Sequence, residues 1–142
     1  MSEKNKENYG IMIMNDSNHT RIPKAKITQA ITRTLQGESI TVADICVILL
    51  NDKKIHEMNR KFLQHDYPTD VITFPLEDNP LEGEIYISID TAIEQARDYN
   101  VSVAQELMRL AAHGTLHLIG YDDSTDEERA RMSELETLYI ES

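Results

Sequence analysis

The sequence predicts a single α/β domain of the α+β type, in which a mixed sheet of about four strands packs with about five helices. Three observations support this fold class. The chain has 142 residues, enough for one sizeable core. Strand-like and helix-like patterns alternate in its first half, and helical patterns accumulate in its second half. The resulting order is β-α-β-α-β-β-α-α-α, and we expect residues 1–142 to form one domain.

The first half of the chain contains predicted strands at residues 9–14 and 41–50. Residues 41–50 are rich in β-branched side chains and almost continuously apolar, which predicts a central strand buried on both faces. Cys46 lies within this strand, so we expect an inert, buried thiol. A helix follows each strand, at residues 23–35 and 51–63, because apolar side chains recur there at helical spacing.

Two further strands are predicted in the middle of the chain. A turn at residues 66–70 leads into a short strand at residues 71–74, which Pro75 ends. Residues 77–83 form a polar loop, and residues 84–89 alternate between apolar and polar side chains as a strand does.

Three helices complete the predicted fold. Asp90 caps the first of them, and Ser102 caps the longest, whose interior carries few charges. Gly120 is placed to end that longest helix. A capping box of sequence STDE at residues 124–127 begins an acidic last helix. The predicted inner face of this helix contains Leu135, Leu138 and Tyr139.

Composition and charge exclude several classes of protein. With 14 basic and 25 acidic residues the formal net charge is -11, so any contact with nucleic acid must be local. No apolar stretch approaches the roughly 20 residues that a membrane-spanning helix needs, and the N-terminus lacks the apolar core of a signal peptide. The one cysteine cannot form an internal disulfide. We therefore expect a cytoplasmic protein without a membrane partner.

A pair of histidines on the longest predicted helix has the spacing of metal ligands. His113 and His117 lie four residues apart, so their side chains share one face of the helix. Gly120 allows the chain to reverse and to return Asp123 to the two imidazoles. Three protein ligands with one position open to water are typical of a catalytic zinc site.

A second interpretation of these residues needs no metal. Two histidines at this spacing also occur by chance, and Asp122 and Asp123 could simply begin the acidic last helix, where carboxylates suit the positive helix end. The cost of burying unpartnered imidazoles on an apolar helix favours the metal site.

The histidine helix resembles that of the metzincin proteases, in which a glycine turn delivers a third ligand after a histidine pair. Those enzymes need a glutamate directly after the first histidine as general base, and this chain has Gly114 there. Peptide hydrolysis is therefore the least favoured function. Because glycine within a helix costs about 1 kcal/mol relative to alanine, we expect something to pack or bind against the Gly114 backbone.

Three motifs together resemble one known family. They are MNRKFL at residues 58–63, DYPTDVITFP at residues 66–75 and HGTLHLIGYD at residues 113–122. In this order they resemble the YbeY family of bacterial endoribonucleases, over roughly residues 40–125. The resemblance implies a zinc-dependent, single-strand-selective endoribonuclease that acts in ribosomal RNA maturation, notably at the 3′ end of the small-subunit RNA, and in ribosome quality control. It implies precursor ribosomal RNA, small-subunit proteins and an assembly GTPase as partners.

The resemblance also assigns roles to particular residues. It implies His113, His117 and Asp123 as metal ligands, with Asp123 in the place of the family's usual histidine. It implies Arg60 as the catalytic arginine, since a planar guanidinium can hold two phosphate oxygens; without the resemblance, Arg60 would be taken for a solvated residue on a helix. Glu84 replaces the family's usual aspartate. Because a carboxylate is an accepted zinc ligand, we expect one Zn²⁺ per chain, with another divalent metal as the alternative.

One other function remains open at this point. The chain could be a ribosome-assembly binding protein that keeps the metal as a structural feature and cleaves little RNA. The densest group of basic residues fits a local RNA path and equally fits a solvated helix face. That group contains Lys53, Lys54, Arg60 and Lys61.

Overall fold

The protein is described here by a computed structural model that covers residues 7–63 and 70–141. Its strands are β1 (Asn8–Asp16), β2 (Val42–Leu50), β3 (Val71–Asp78) and β4 (Leu81–Ser88). Its helices are α1 (Lys24–Gly37), α2 (Asp52–Met58), α3 (Ile89–Tyr99), α4 (Val103–Ile119) and α5 (Asp126–Glu141). The predicted fold class and the predicted order of strands and helices are confirmed.

The four strands form one mixed sheet in the order β1-β2-β4-β3. β1 pairs in parallel with β2, and β2 in parallel with β4, so that Ile45 lies opposite Gly83. β3 pairs antiparallel with β4 at the edge of the sheet. β2 and β4 are therefore the two inner strands, and they supply the middle of the core.

One face of the sheet carries the main core. Alternate residues of β2 and β4 pack there against apolar side chains of α1, α3 and α4. Helix α4 approaches β4 very closely, because a Cβ at Gly114 would lie 2.7 Å from Cγ2 of Ile85. This contact confirms the expectation that something packs against the backbone at Gly114. Helix α5 packs outside α4 and buries Met132, Leu135 and Tyr139 against Leu116.

The prediction that β2 is buried on both faces was wrong. Its second face is covered at one end only, where Ile55 of α2 packs with Leu50 and Ile72. Further along the strand Val42 is exposed and Cys46 is half-buried, so the expected buried thiol is wrong as well. The helices α1, α3 and α4 all pack on the other face of the sheet. An apolar run in the sequence does not show on which face the helices pack.

The predicted break after residue 74 and the predicted loop at residues 77–83 were also wrong. β3 continues through Pro75 to Asp78, and β4 begins at Leu81. The pairing shifts register between Pro75 and Glu77. Proline is tolerated there because an edge strand with an irregular register does not need every backbone N–H.

Two predicted helix caps are shifted along the chain. The hydroxyl of Ser88, and not the carboxylate of Asp90, accepts the hydrogen bond from the α3 backbone. At α5 the reciprocal pair is Thr125 and Glu128, one residue later than predicted. The prediction for Ser102 is confirmed, since its hydroxyl accepts from the backbone of Gln105 at 3.0 Å. Serine and threonine hydroxyls thus cap all three of these helix starts.

Further outcomes concern predicted helices and one predicted turn. The predicted helix at residues 51–63 is α2 followed by a π-helical turn, Asn59–Leu63. Leu138 is 56% exposed, so its predicted place on the inner face of α5 was wrong. The predicted turn at residues 66–70 lies, except for Asp70, outside the described residues. Among the described residues, no helix has the length and apolar character required to cross a membrane.

Candidate metal centre

The two histidines of the H-x3-H spacing lie one turn apart near the end of α4. The Nε2 atoms of His113 and His117 are 3.1 Å apart, and the two rings meet edge to face at 81°. Both side chains are about one-fifth exposed, so the pair lies at the surface end of a largely buried helix. The helical spacing therefore brings two imidazole nitrogens to one point.

A glycine turn brings the third residue to this pair. Gly120 ends α4 with a φ of 127°, a conformation that side chains other than glycine rarely adopt. The chain reverses there, and the N–H of Tyr121 donates to the carbonyl oxygen of Leu116 at 3.0 Å. After this reversal the Oδ2 atom of Asp123 lies 3.4 Å from Nε2 of His113 and 3.3 Å from Nε2 of His117.

Hydrogen bonds on the far side of each ring decide which nitrogen faces the centre. Nδ1 of His117 lies 2.9 Å from the carbonyl oxygen of Tyr121, which can only accept, so Nδ1 carries the proton. Nδ1 of His113 lies 2.6 Å from a carboxylate oxygen of Glu136 and must donate for the same reason. In the neutral rings, both Nε2 atoms are then acceptors close to the Asp123 oxygen. Three acceptor atoms this close repel one another unless a proton or a metal ion lies between them.

The three atoms fit the dimensions of a metal site. Their separations are 3.1 to 3.4 Å, and ligand atoms of a tetrahedral zinc site with bonds of about 2.1 Å lie about 3.4 Å apart. In the part of the chain that the structure describes, these three residues are the one group of His, Cys, Asp and Glu side chains able to hold an ion. The side chain of Asp123 is 42% exposed, so the centre is open to solvent on one side.

Glu136 is the residue that sequence reasoning missed. It is buried on α5, where one carboxylate oxygen accepts from His113 and the other accepts from Arg109 at 3.2 Å. Burial alone would lower the pKa of His113, but the hydrogen bond and charge of Glu136, with the charges of Asp70 and Asp123, raise it. The available signal was its position directly after Leu135, on the predicted inner face of the last helix.

A second carboxylate holds the loop that carries Asp123. Glu38, just after α1, accepts hydrogen bonds from the hydroxyls of Tyr121 and Tyr139. The bond to Glu38 raises the pKa of Tyr121 above its usual value, and burial together with the bond to Glu38 raises the pKa of Tyr139. The Glu38 carboxylate therefore connects the end of α1 to the loop that carries Asp123 and to α5.

The remaining candidate residues are not members of this cluster. Asp122 is exposed and does not join the cluster, and Thr125 rather than Asp123 caps α5. Arg60 lies on another element, the π-helical turn, with an exposed side chain. Glu84 accepts a hydrogen bond from Tyr86 on the sheet face opposite to α4.

Comparisons with known proteins show the family of this chain. The family model described as Endoribonuclease YbeY matches residues 12–142. A protein of that name from Chlorobium phaeobacteroides is 42% identical over 120 residues, which are 84% of this chain and 84% of the relative. The namesake from Chloroherpeton thalassium is 41% identical over 120 residues, 84% of this chain and 85% of the relative.

The fold has a solved counterpart. The solution structure of TM1509 from Thermotoga maritima matches with a TM-score of 0.62 and 31% sequence identity, over 94% of this chain and 87% of that one. The family model and the two namesakes define one class of protein, the endoribonucleases. The chain belongs to the YbeY family within that class.

Proposed function

We propose that this protein is a metal-dependent endoribonuclease that cleaves single-stranded parts of ribosomal RNA precursors, notably at the 3′ end of the small-subunit RNA. Membership of the YbeY family supports RNA cleavage. The cluster of His113, His117 and Asp123 supports the metal dependence. In this proposal the protein acts in the cytoplasm, in ribosome maturation and quality control, together with small-subunit proteins and an assembly GTPase.

The observation that carries the proposal is the open side of the metal centre. His113 and His117 are 21% and 23% exposed and Asp123 is 42% exposed. A structural zinc site is closed by four protein ligands, whereas a catalytic site leaves a position for water or substrate. Three ligands facing solvent therefore favour catalysis over a purely structural metal, and zinc is the metal that two imidazoles and one carboxylate suit.

The residues present divide the chemistry between them. A divalent ion held by these three side chains would supply a Lewis acid for a water molecule or a phosphoryl oxygen. Glu136 and the Tyr121 carbonyl keep the two imidazoles in the tautomer that leaves Nε2 free. Arg60 is the residue that we assign to the phosphate, since its guanidinium can hold two non-bridging oxygens as negative charge develops.

RNA can approach this acidic chain along a limited path only. Lys53 and Lys54 are exposed on α2, and Arg60 and Lys61 are exposed on the π-helical turn. Lys54 also pairs with Asp16 at 3.3 Å, which is a weak surface interaction. We propose this group as the local contact for the RNA backbone.

Cleavage assays together with metal analysis test the proposal. Single-stranded RNA with the sequence of the small-subunit 3′ end should be cut by the purified protein, and the same RNA in a duplex should be spared. Chelator and the His117→Ala variant should both abolish cleavage, and the variant should contain no metal. A protein that holds one metal ion per chain and binds RNA without cutting it would be an assembly factor, and the proposed enzyme would be refuted.

A further inference from the structure

A cavity lies between the end of α3 and the helices α4 and α5. Its volume is about 410 Å³, which falls within the range of small-molecule sites. Glu106 and Arg109 of α4 line it together with Glu136 and Thr137 of α5, and Tyr99 at the end of α3 also belongs to the lining. The proposed RNA chemistry uses only Glu136 among these residues.

The carboxylate of Glu106 is the unusual group in this cavity. Glu106 is 2% exposed, and in the ranges that the structure describes no donor is within hydrogen-bonding distance of its carboxylate. Every fully enclosed side-chain oxygen of those ranges does have a partner, so the Glu106 oxygens open into the cavity. A buried carboxylate is rarely left without a donor, which indicates that the cavity is suited to a ligand that supplies one.

The arginine in the cavity is already engaged. One nitrogen of the Arg109 guanidinium donates to Glu136 at 3.2 Å, and another donates to Thr137 at 3.3 Å. Burial and the negative charges of Asp70 and Glu136 raise the pKa of Glu106 to about 7, against the opposing effect of Arg109. Two carboxylates and one guanidinium are the charged side chains of the lining, so the cavity carries a net charge of -1 when both carboxylates are ionised.

These charges define the class of ligand. An anion would meet the carboxylates of Glu106 and Glu136, and the described residues of the cavity form no cluster that could hold a metal ion. An ammonium group would supply the donors that Glu106 lacks and would be attracted by the net negative charge of the lining. The aromatic ring of Tyr99 in the lining also favours an organic cation.

We propose that the cavity between α3, α4 and α5 binds an aliphatic primary ammonium group, with Glu106 as its carboxylate partner. The site is distinct from the three metal ligands, and its occupation requires neither metal nor RNA. The ammonium group belongs to a free polyamine or to a lysine side chain of a partner protein.

Calorimetric titration of the full chain with 1,4-diaminobutane tests the proposal, with 1,4-butanediol as the neutral compound of equal length. The wild-type protein should bind the diamine and not the diol. Glu106→Gln keeps the shape of the side chain and removes its charge, so it should weaken binding about tenfold or more. Glu134→Gln makes the same chemical change on the exposed side of α5 and should leave binding unchanged.

Two controls make the outcome decisive. A cooperative melting transition well above the titration temperature in both variants excludes unfolding as the cause of weaker binding. Titration with N-acetyl-lysine methylamide distinguishes the sources, because tighter binding of this compound indicates a lysine side chain and tighter binding of the diamine indicates a free polyamine. Failure of both amines to bind, or equal binding by Glu106→Gln, would overturn the proposal. The titrations contain no RNA, so the proposed ammonium site and the proposed RNA cleavage can fail independently of each other.

Discussion

Nδ1 of His117 donates a hydrogen bond of 2.9 Å to the carbonyl oxygen of Tyr121, which lies beyond the turn that ends α4. The same turn carries Asp123 back to the histidine. One backbone reversal therefore sets both the tautomer of the His117 imidazole and the position of the Asp123 carboxylate. The conformation of the turn depends on Gly120, whose φ is 127°.

The first prediction concerns that glycine. Gly120→Ala meets no neighbouring atom but forces a side chain into a strained backbone conformation, at a cost of about 1–2 kcal/mol. Relaxation of the turn should displace Asp123 and Tyr121 and weaken zinc binding. Ser102→Ala is the matched control, since loss of this cap costs about 1 kcal/mol at the other end of α4. Equal zinc affinities of the two variants, measured by competition with a chelating dye, would contradict the prediction.

The second prediction concerns Glu136. Glu136→Gln removes the charge that orients His113 and should weaken zinc binding about 10- to 100-fold, as loss of outer hydrogen-bond partners does in other metal sites. Glu134→Gln, two residues earlier on the same helix and 73% exposed, should not change the affinity. Comparison of the two dissociation constants checks this prediction, and a variant Glu136→Gln with wild-type affinity would show that His113 needs no such partner.

The third prediction separates the two neighbouring aspartates. Asp123→Ala removes an oxygen at 3.3 to 3.4 Å from both Nε2 atoms, so it should weaken zinc binding more than Glu136→Gln does. Asp122→Ala alters an exposed side chain and should bind zinc as the wild type does. Asp123→His offers a nitrogen ligand and should retain the metal. Unchanged zinc affinity in Asp123→Ala would remove Asp123 from the ligand set.

The fourth prediction concerns the proposed phosphate-binding arginine. Arg60→Lys keeps the positive charge but loses the planar pair of donors, so RNA cleavage should fall about 100-fold while the melting temperature stays the same. Arg97→Lys, the same change on the exposed surface of α3, should leave the rate unaltered. Initial rates on one single-stranded RNA give the comparison. An undiminished rate in Arg60→Lys would show that Arg60 has no role in cleavage and is a solvated surface residue.

The fifth prediction concerns stability against pH. The pKa of Glu106 is about 7 in the folded protein, above the usual value of 4.5 that applies after unfolding. Between these values the folded state holds a proton that the unfolded state has released, so this group lowers the free energy of unfolding as pH rises through the window. Glu106→Gln should remove that loss, so its free energy of unfolding, measured by urea denaturation, should change less with pH. Glu134→Gln should behave as the wild type does. If the free energy of unfolding changed equally with pH in the wild type and both variants, the raised pKa of Glu106 would be contradicted.

Much of the cluster was predictable because it is local in sequence. His113, His117 and Asp123 are joined by one helix and one turn, and helical periodicity with a glycine stop determines both. Glu136 was not predictable in this way, since it reaches His113 only when α5 packs on α4. The burial of a partner helix is a tertiary property that no short spacing encodes.

The wrong predictions for the sheet have a common physical origin. Apolar β-branched residues at 41–50 indicate a strand, but they do not show how many faces are covered, and Cys46 is half-buried for that reason. Pro75 indicates a break in a central strand, yet β3 is an edge strand that tolerates it. In both cases the local pattern was interpreted correctly as a strand, and its place in the sheet decided the rest.

The hydrogen bond between Glu136 and His113 also sets an order of events during protein synthesis. The three ligand residues precede α5 in the chain, and they leave the ribosome before the helix that orients one of them. Domains generally fold as units while the chain grows. The hydrogen bond that orients His113 therefore forms only after α5 has been made and has docked, so a nascent chain that already contains all three residues of the cluster does not yet hold them as the folded protein does.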